Sequence, residues 1–134
     1  MDPAQALFAN EAFYLAFRER DIAAMGGLWA RHTAVACIHP GWSALTDLED
    51  VLDSWAAILG NPESPKIQCR CAAAYPCGAG SYVICYEAVG ETLLVATNIF
   101  IEEEGETRMI LHQAGQAVAP PGGLPDEPSQ GPMQ

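Results

Sequence analysis

The stretch KIQCRCAAAYPCGAGSYVICYEAVGETLLVATNIFIEEEGETRMILHQAGQAV, residues 66–118, decides the fold. Its apolar residues recur with a period of 2, whereas those before Pro65 recur at helical spacing. Runs at about 66–75, 81–89, 92–103 and 107–118 read as strands, with turns at Pro76–Gly80, Gly90-Glu91 and Glu104–Glu106. Connections this short join antiparallel neighbours, so the four strands form a meander. The acidic run Glu102–Glu106 reads as a hairpin turn that solvates the sheet end and discourages edge pairing.

Working back towards the N-terminus, Thr46-x-x-Glu49 reads as a capping box, followed at helical spacing by Leu48, Val51, Leu52, Trp55, Ile58 and Leu59. Gly60 and Pro62 stop that helix, and Asp47, Glu49, Asp50 and Asp53 suit the positive end of its dipole. Ala34–His39 reads as a short extra strand. Ahead of it, Asp2 caps a first helix with Pro3 at its first position, running to about Arg20 through Ala6, Ala9, Phe13, Ala16 and Phe17. Asp21 caps a short second helix through Ile22, Met25, Leu28 and Trp29. The order helix, helix, strand, helix, four strands predicts an α+β domain over residues 3–118: a curved antiparallel sheet with helices on its concave face and a conical cavity between the layers. Residues 119–134 are rich in Pro and Gly and poor in large apolar side chains, which predicts a flexible tail.

Composition narrows the class. Half of the 134 residues are hydrophobic, so one packed core is expected. With 17 acidic against 6 basic residues, a net charge of −11 disfavours nucleic acid and anionic membranes as partners. No apolar run approaches the roughly 18 residues of a membrane span. The Met-Asp-Pro start lacks a secretory pattern and the five cysteines are an odd count, so reduced thiols and a cytoplasmic location are expected.

Polar residues on apolar strand faces are the candidate sites, because burying them costs free energy unless they are bonded. Glu87 shares a face with Val83, Cys85 and Val89; desolvation there would raise its pKa and suit it to acid–base work, unless that face meets solvent or Arg70 or Arg108 ties the carboxylate up. Asn98 falls between Ala96 and Phe100, and His112 shares its face with Ile110 and Ala114. Each could orient a ligand or simply bond within the core. In His39-Pro40-Gly41-Trp42, the proline holds His39 extended and Trp42 can wall a cavity mouth; a stacked His–Trp pair is the plain structural alternative. Cys69-x-Cys71, Cys77 and Cys85 lack zinc-knuckle spacing, and strand alternation groups Ile67, Cys69, Cys71 and Ala73 on one apolar face. No metal is expected. Nucleophile-elbow, P-loop, zinc-protease and dinucleotide motifs do not occur.

Several pieces in order resemble the nuclear transport factor 2-like superfamily, in its SnoaL-like branch: CIHPGW at 37–42, DSW at 53–55, Glu87 after YVICY, ATNIF at 96–100 and RMILHQAG at 108–115. The resemblance implies a conical α+β half-barrel and a homodimer through the outer sheet face. It also implies a pocket for a small apolar molecule and chemistry of isomerase, cyclase or dehydratase type, or a non-catalytic binding or dimerisation module. It implies no cofactor. In ketosteroid-isomerase relatives the base is an Asp before a Pro, a position matched here by His39; their oxyanion Tyr falls on Phe13, with Tyr14 one residue away, and their protonated Asp falls near Thr97. Of the Trp, His-His and Ser of the SnoaL-like last strand, this chain has Thr107, His112-Gln113 and Gly115. The expected site is therefore His39 as base with Glu87 as the alternative, Asn98 and His112 orienting an enolate oxygen, and Phe13, Trp29, Trp42 and Tyr86 as walls.

Overall fold

The computed structural model describes residues 1–125. Three helices, α1 (Pro3–Glu19), α2 (Ile22–Gly27) and α3 (Leu48–Gly60), accompany five strands: β1 (Ala36–Ile38), β2 (Gln68–Cys77), β3 (Gly80–Val89), β4 (Thr92–Glu103) and β5 (Glu106–Gln116). The strands form one curved, unclosed sheet in the order β1-β5-β4-β3-β2. The meander of β2 to β5 is antiparallel, as the period-2 runs require. β1 differs, lying parallel to β5 with Cys37 opposite His112. A parallel pairing needs a long crossover, which α3 and the meander supply.

The caps follow the sequence at two of three helices. Asp2 accepts from the Ala4 amide and Asp21 from the Ala24 amide. At α3 the cap is Asp47 rather than Thr46; its Oδ1 accepts from the Glu49 amide at 2.8 Å. Aspartate outranks threonine at this position, and its charge also faces the helix dipole.

Arg20, in a left-handed conformation at the end of α1 (φ 56°), points its guanidinium at the carbonyls of Leu59, Asn61, Pro62 and Ser64. It thereby satisfies the carbonyls of Leu59 and of the C-cap Asn61 at the end of α3, the kind of group a helix leaves unpaired, and two carbonyls of the loop beyond. Glu103 has a similar linking role beyond solvation: its carboxylate accepts from the Arg31 and His32 amides and the Thr33 hydroxyl, bonds that hold it below the usual carboxylate range. Beyond it, Glu104 (φ 53°) and Gly105 (φ 82°) make the left-handed two-residue turn that suits a twisted hairpin.

The core lies between the helices and the concave face, built on Phe13, Trp29, Trp55, Phe100 and Met109. β2 departs from simple alternation. A bulge between Arg70 and Ala73, with Cys71 at φ 58°, shifts the parity, so Ala72 and Ala74 rather than Cys71 and Ala73 pack against the core. Of the tail expected over 119–134, residues 126–134 lie outside the described residues. Residues 119–125 contain no helix or strand, and the Pro125 carbonyl accepts from Arg70 and from the Cys71 thiol of that bulge.

Candidate functional site

α1 presents Asn10 and Tyr14, one turn apart and both buried, to the concave face of the sheet. The sheet answers with Cys69 from β2, Cys85 and Glu87 from β3, Asn98 from β4 and His112 from β5. Cys69 stands opposite Glu87 and Asn98 opposite His112 in the strand register, so the polar side chains converge under α1.

They form one directed chain of hydrogen bonds. The Asn98 amide nitrogen donates to Asn10 Oδ1 at 2.7 Å and to Tyr14 Oη at 3.3 Å. Its Oδ1 is then the acceptor for His112 Nδ1 at 2.6 Å, which fixes the proton of that imidazole on Nδ1. Tyr14 Oη also receives the Cys85 thiol at 3.3 Å and passes its own proton towards Glu87 Oε2 at 2.5 Å. Every bond from His112 to Glu87 therefore points the same way, and the carboxylate is the terminal acceptor.

Burial sets the electrostatics. It pushes the Glu87 carboxyl above its ordinary value of 4.5, against the opposing pull of the Tyr14 hydrogen bond. Burial, followed by the nearby Glu87 and Cys85 charges, lifts the Tyr14 phenol well above 10. The proton between them belongs to the tyrosine when Glu87 is ionised. Burial and the neighbouring His39 push His112 down to about 3, so it is neutral at pH 7.

His39 occupies a separate aromatic cluster. Its Nε2 lies 2.9 Å from Ser54 Oγ, whose hydroxyl donates to the Val51 carbonyl, so the imidazole carries its proton on Nε2. Its ring packs on Trp42 (4.7 Å) and Trp55 (4.8 Å) and stands 6.3 Å from His112. Burial pushes it down to about 4. Phe13 joins the two groups, touching Tyr14, His112 and Trp55 at 4.8, 4.9 and 5.4 Å.

A cleft of about 1110 Å³ runs between α1 and the start of β2; Asn10, Tyr14 and Cys69 line it together with Leu7, Leu15 and Ile67. A smaller cleft, about 480 Å³, lies between Phe8 and the β4–β5 turn. Neither is lined by His39, Glu87, Asn98 or His112. Phe13, Phe17 and Trp55 pack edge to face between the helices and the sheet.

The structure thus brings Glu87, Asn98 and His112 into one bonded chain and leaves His39 beside it. Among the expected walls, Phe13 touches the chain. Trp29 is buried where its segment pairs with Met109, and Trp42, 48% exposed, covers His39. Tyr86 alternates with Glu87 and so lies on the opposite, outer sheet face. Asn10 and Tyr14 were not among the expected site residues, Tyr14 entering only as the neighbour of the oxyanion position in ketosteroid-isomerase relatives, and neither were Ser54 and Cys69, the latter read as part of an apolar strand face. The signal for the first two was present: two polar residues four apart, embedded in the apolar face of the first helix. Among the described residues no group of three or more His, Cys, Asp and Glu side chains could hold a metal.

With the geometry known, comparison with other proteins places the chain. The SnoaL-like domain family matches residues 7–119. This chain belongs to that family. No curated protein matches the sequence. Among solved structures, the SnoaL-like chain is similar to a candidate dehydratase of the nuclear transport factor 2-like family from Streptomyces avermitilis, at 29% identity and TM-score 0.78 over 88% of this chain and 97% of that one. It is also similar to a candidate calcium/calmodulin-dependent protein kinase type II association domain from Thiobacillus denitrificans, at 28% identity and TM-score 0.68 over 82% and 93%. The S. rosetta CaMKII hub shares the fold at 13% identity, TM-score 0.69, over 87% and 98%. Within the described residues no helix is long and apolar enough to cross a membrane.

Proposed function

We propose that this SnoaL-like domain binds a small, largely apolar molecule in the α1–β2 cleft and moves a proton on it through the Tyr14–Glu87 pair, in a reaction of dehydratase or isomerase type. The observation that carries this reading is the 2.5 Å hydrogen bond between a cleft-lining phenol and a fully buried carboxylate behind it. In the proposed step the Tyr14 oxygen takes a proton from a carbon next to a carbonyl while its own proton passes to Glu87. Glu87 is then neutral, Tyr14 is again a phenol, and the substrate is an enolate. Return of the proton through Tyr14 to a β-hydroxyl releases water and leaves a double bond; return to a different carbon is an isomerisation. Asn98 steadies the phenol oxygen and His112 fixes the amide, so both are positioning residues. His39 lines neither cleft, which moves the role of base to Glu87. A dry environment strengthens the few polar groups in it, and the step needs no cofactor. The likeness to a candidate dehydratase supports the same class.

The test is exchange of α-protons of apolar ketones and β-hydroxyketones into deuterated water, followed by NMR. Exchange by the wild-type protein that falls at least about 100-fold in Glu87→Gln and Tyr14→Phe, both still folded, is the expected result. Exchange no faster than in buffer would remove the catalytic reading.

A second reading has its own observation. The outer sheet face carries a cross-strand row of Tyr75, Tyr82, Ile99 and Leu111, with Tyr86 and Val95 beside it, all partly exposed. An apolar face of this kind suits pairing with a second copy, and the likeness to an association domain supports an assembly role. In that reading the domain is a homodimer or larger assembly, with or without turnover.

A further inference from the structure

The cleft also carries information about the charge of what it holds. The chain has six Lys and Arg residues. Four of them are committed to backbone carbonyls: Arg20 to the end of α3, Arg31 to Gly26, Arg70 to Pro125 and Arg108 to Gly27. Arg18 and Lys66 are the two with no hydrogen-bond or ion-pair partner among the described residues, and both line the α1–β2 cleft. In a protein of net charge −11, two uncommitted cations at one cleft are a local reversal of sign.

We infer that the cleft takes a small apolar carboxylate, its anionic group held between Arg18 and Lys66 and its body along Leu15, Ile67 and Leu7. This inference rests on the cleft being the binding site and adds the chemical class of the ligand. The helix fixes the orientation. Arg18 and Tyr14 are one turn apart on α1, about 6 Å along its axis, and Glu11 lines the cleft beyond Tyr14. Positive charge at one end and negative at the other directs the carboxylate towards Arg18. A group several bonds from the carboxylate then lies at the Tyr14 hydroxyl, so the substrate class is an acid that reacts away from its own carboxyl, at a ketone or hydroxyl further along the chain.

The experiment compares hexanoate with hexan-1-ol, titrated into the full-length protein and followed by amide shifts in two-dimensional NMR at low salt. Hexanoate is expected to bind several-fold tighter than the alcohol, with shifts at Asn10, Tyr14 and Ile67. Arg18→Gln and Lys66→Gln should each weaken hexanoate about two- to fivefold, the value of one exposed ion pair, and leave the alcohol unchanged. Glu11→Gln should tighten hexanoate or leave it unaltered. All these side chains are exposed, so the variants fold, and none is in the proton-transfer pair. Equal binding of acid and alcohol at the cleft, or hexanoate affinity indifferent to both substitutions, overturns the carboxylate inference while leaving the cleft as the site. Shifts from neither probe at the cleft overturn both.

Discussion

The Tyr14 hydroxyl donates to Glu87 Oε2 across 2.5 Å, linking the middle of α1 to the inward face of β3, with both side chains buried. A helix and a sheet normally meet through apolar side chains, and a carboxylate between them is stable only while its partners stay in place. The pair is both a structural pin and a chemically poised group, and the two roles predict different responses to substitution.

Removing the phenol oxygen by Tyr14→Phe leaves the Cys85 thiol and one Asn98 proton without their acceptor and Glu87 without its donor. A loss of about 1–3 kcal/mol in unfolding free energy by urea denaturation is expected. Because the Tyr14 bond holds the carboxyl down, its removal should raise the Glu87 pKa further.

Glu87 gives a pH signature of definite sign. Its folded pKa lies above its ordinary value of 4.5, so the folded state keeps the proton longer than the unfolded state. Its contribution is full below pH 4.5 and is lost as pH rises through the folded pKa. Unfolding free energies measured across that range should fall less steeply with rising pH in Glu87→Gln than in the wild type.

His39 and His112 act in the opposite direction. Both have folded pKa values below 6.5, near 4 and near 3, so the unfolded state binds protons first. The stability they confer is complete above pH 6.5 and is lost as pH falls through these lower values. Acid unfolding monitored by circular dichroism should therefore be shallower in His112→Gln between pH 6.5 and 3 than in the wild type.

Much of this architecture was legible in the sequence, for physical reasons. Alternation along 81–89 placed Val83, Cys85 and Glu87 inward, because a strand with one buried face has no other way to arrange them. The first two helix caps followed from aspartates at boundaries of the apolar pattern. What escaped was non-local. Tyr14 pairs with a residue 73 positions away and Arg20 with carbonyls 39 or more away, and neither contact leaves a periodic trace. The β2 bulge reversed the expected face of Cys71 because an inserted residue is invisible to a period-2 reading. The edge-to-face packing of Phe13, Phe17 and Trp55 beside His39 also escaped, because it is a matter of rotamers rather than pattern.

Arg20 offers a test of the helix junction. Arg20→Ala strips the donors from the Leu59, Asn61, Pro62 and Ser64 carbonyls, and a destabilisation of about 1.5–3 kcal/mol is expected in chemical denaturation, as for hydrogen bonds to a charged group.

The outer sheet face gives a prediction for assembly. Ile99 sits mid-row between Tyr82 and Leu111. Sedimentation velocity should find the wild-type chain as a dimer or larger species and Ile99→Arg as a folded monomer, since an unpaired charge at the centre of an apolar contact costs several kcal/mol.

The central claim, that ligand meets the chain at Tyr14 backed by Glu87, is tested most directly by mapping amide shifts with β-hydroxyketone and enone probes on the wild type and on Glu87→Gln. Shifts clustered at Asn10, Tyr14 and Cys69 are expected, with binding about tenfold weaker in the variant. Shifts centred on Trp42 or on the outer face around Tyr82 and Ile99, or none at millimolar probe, would contradict it.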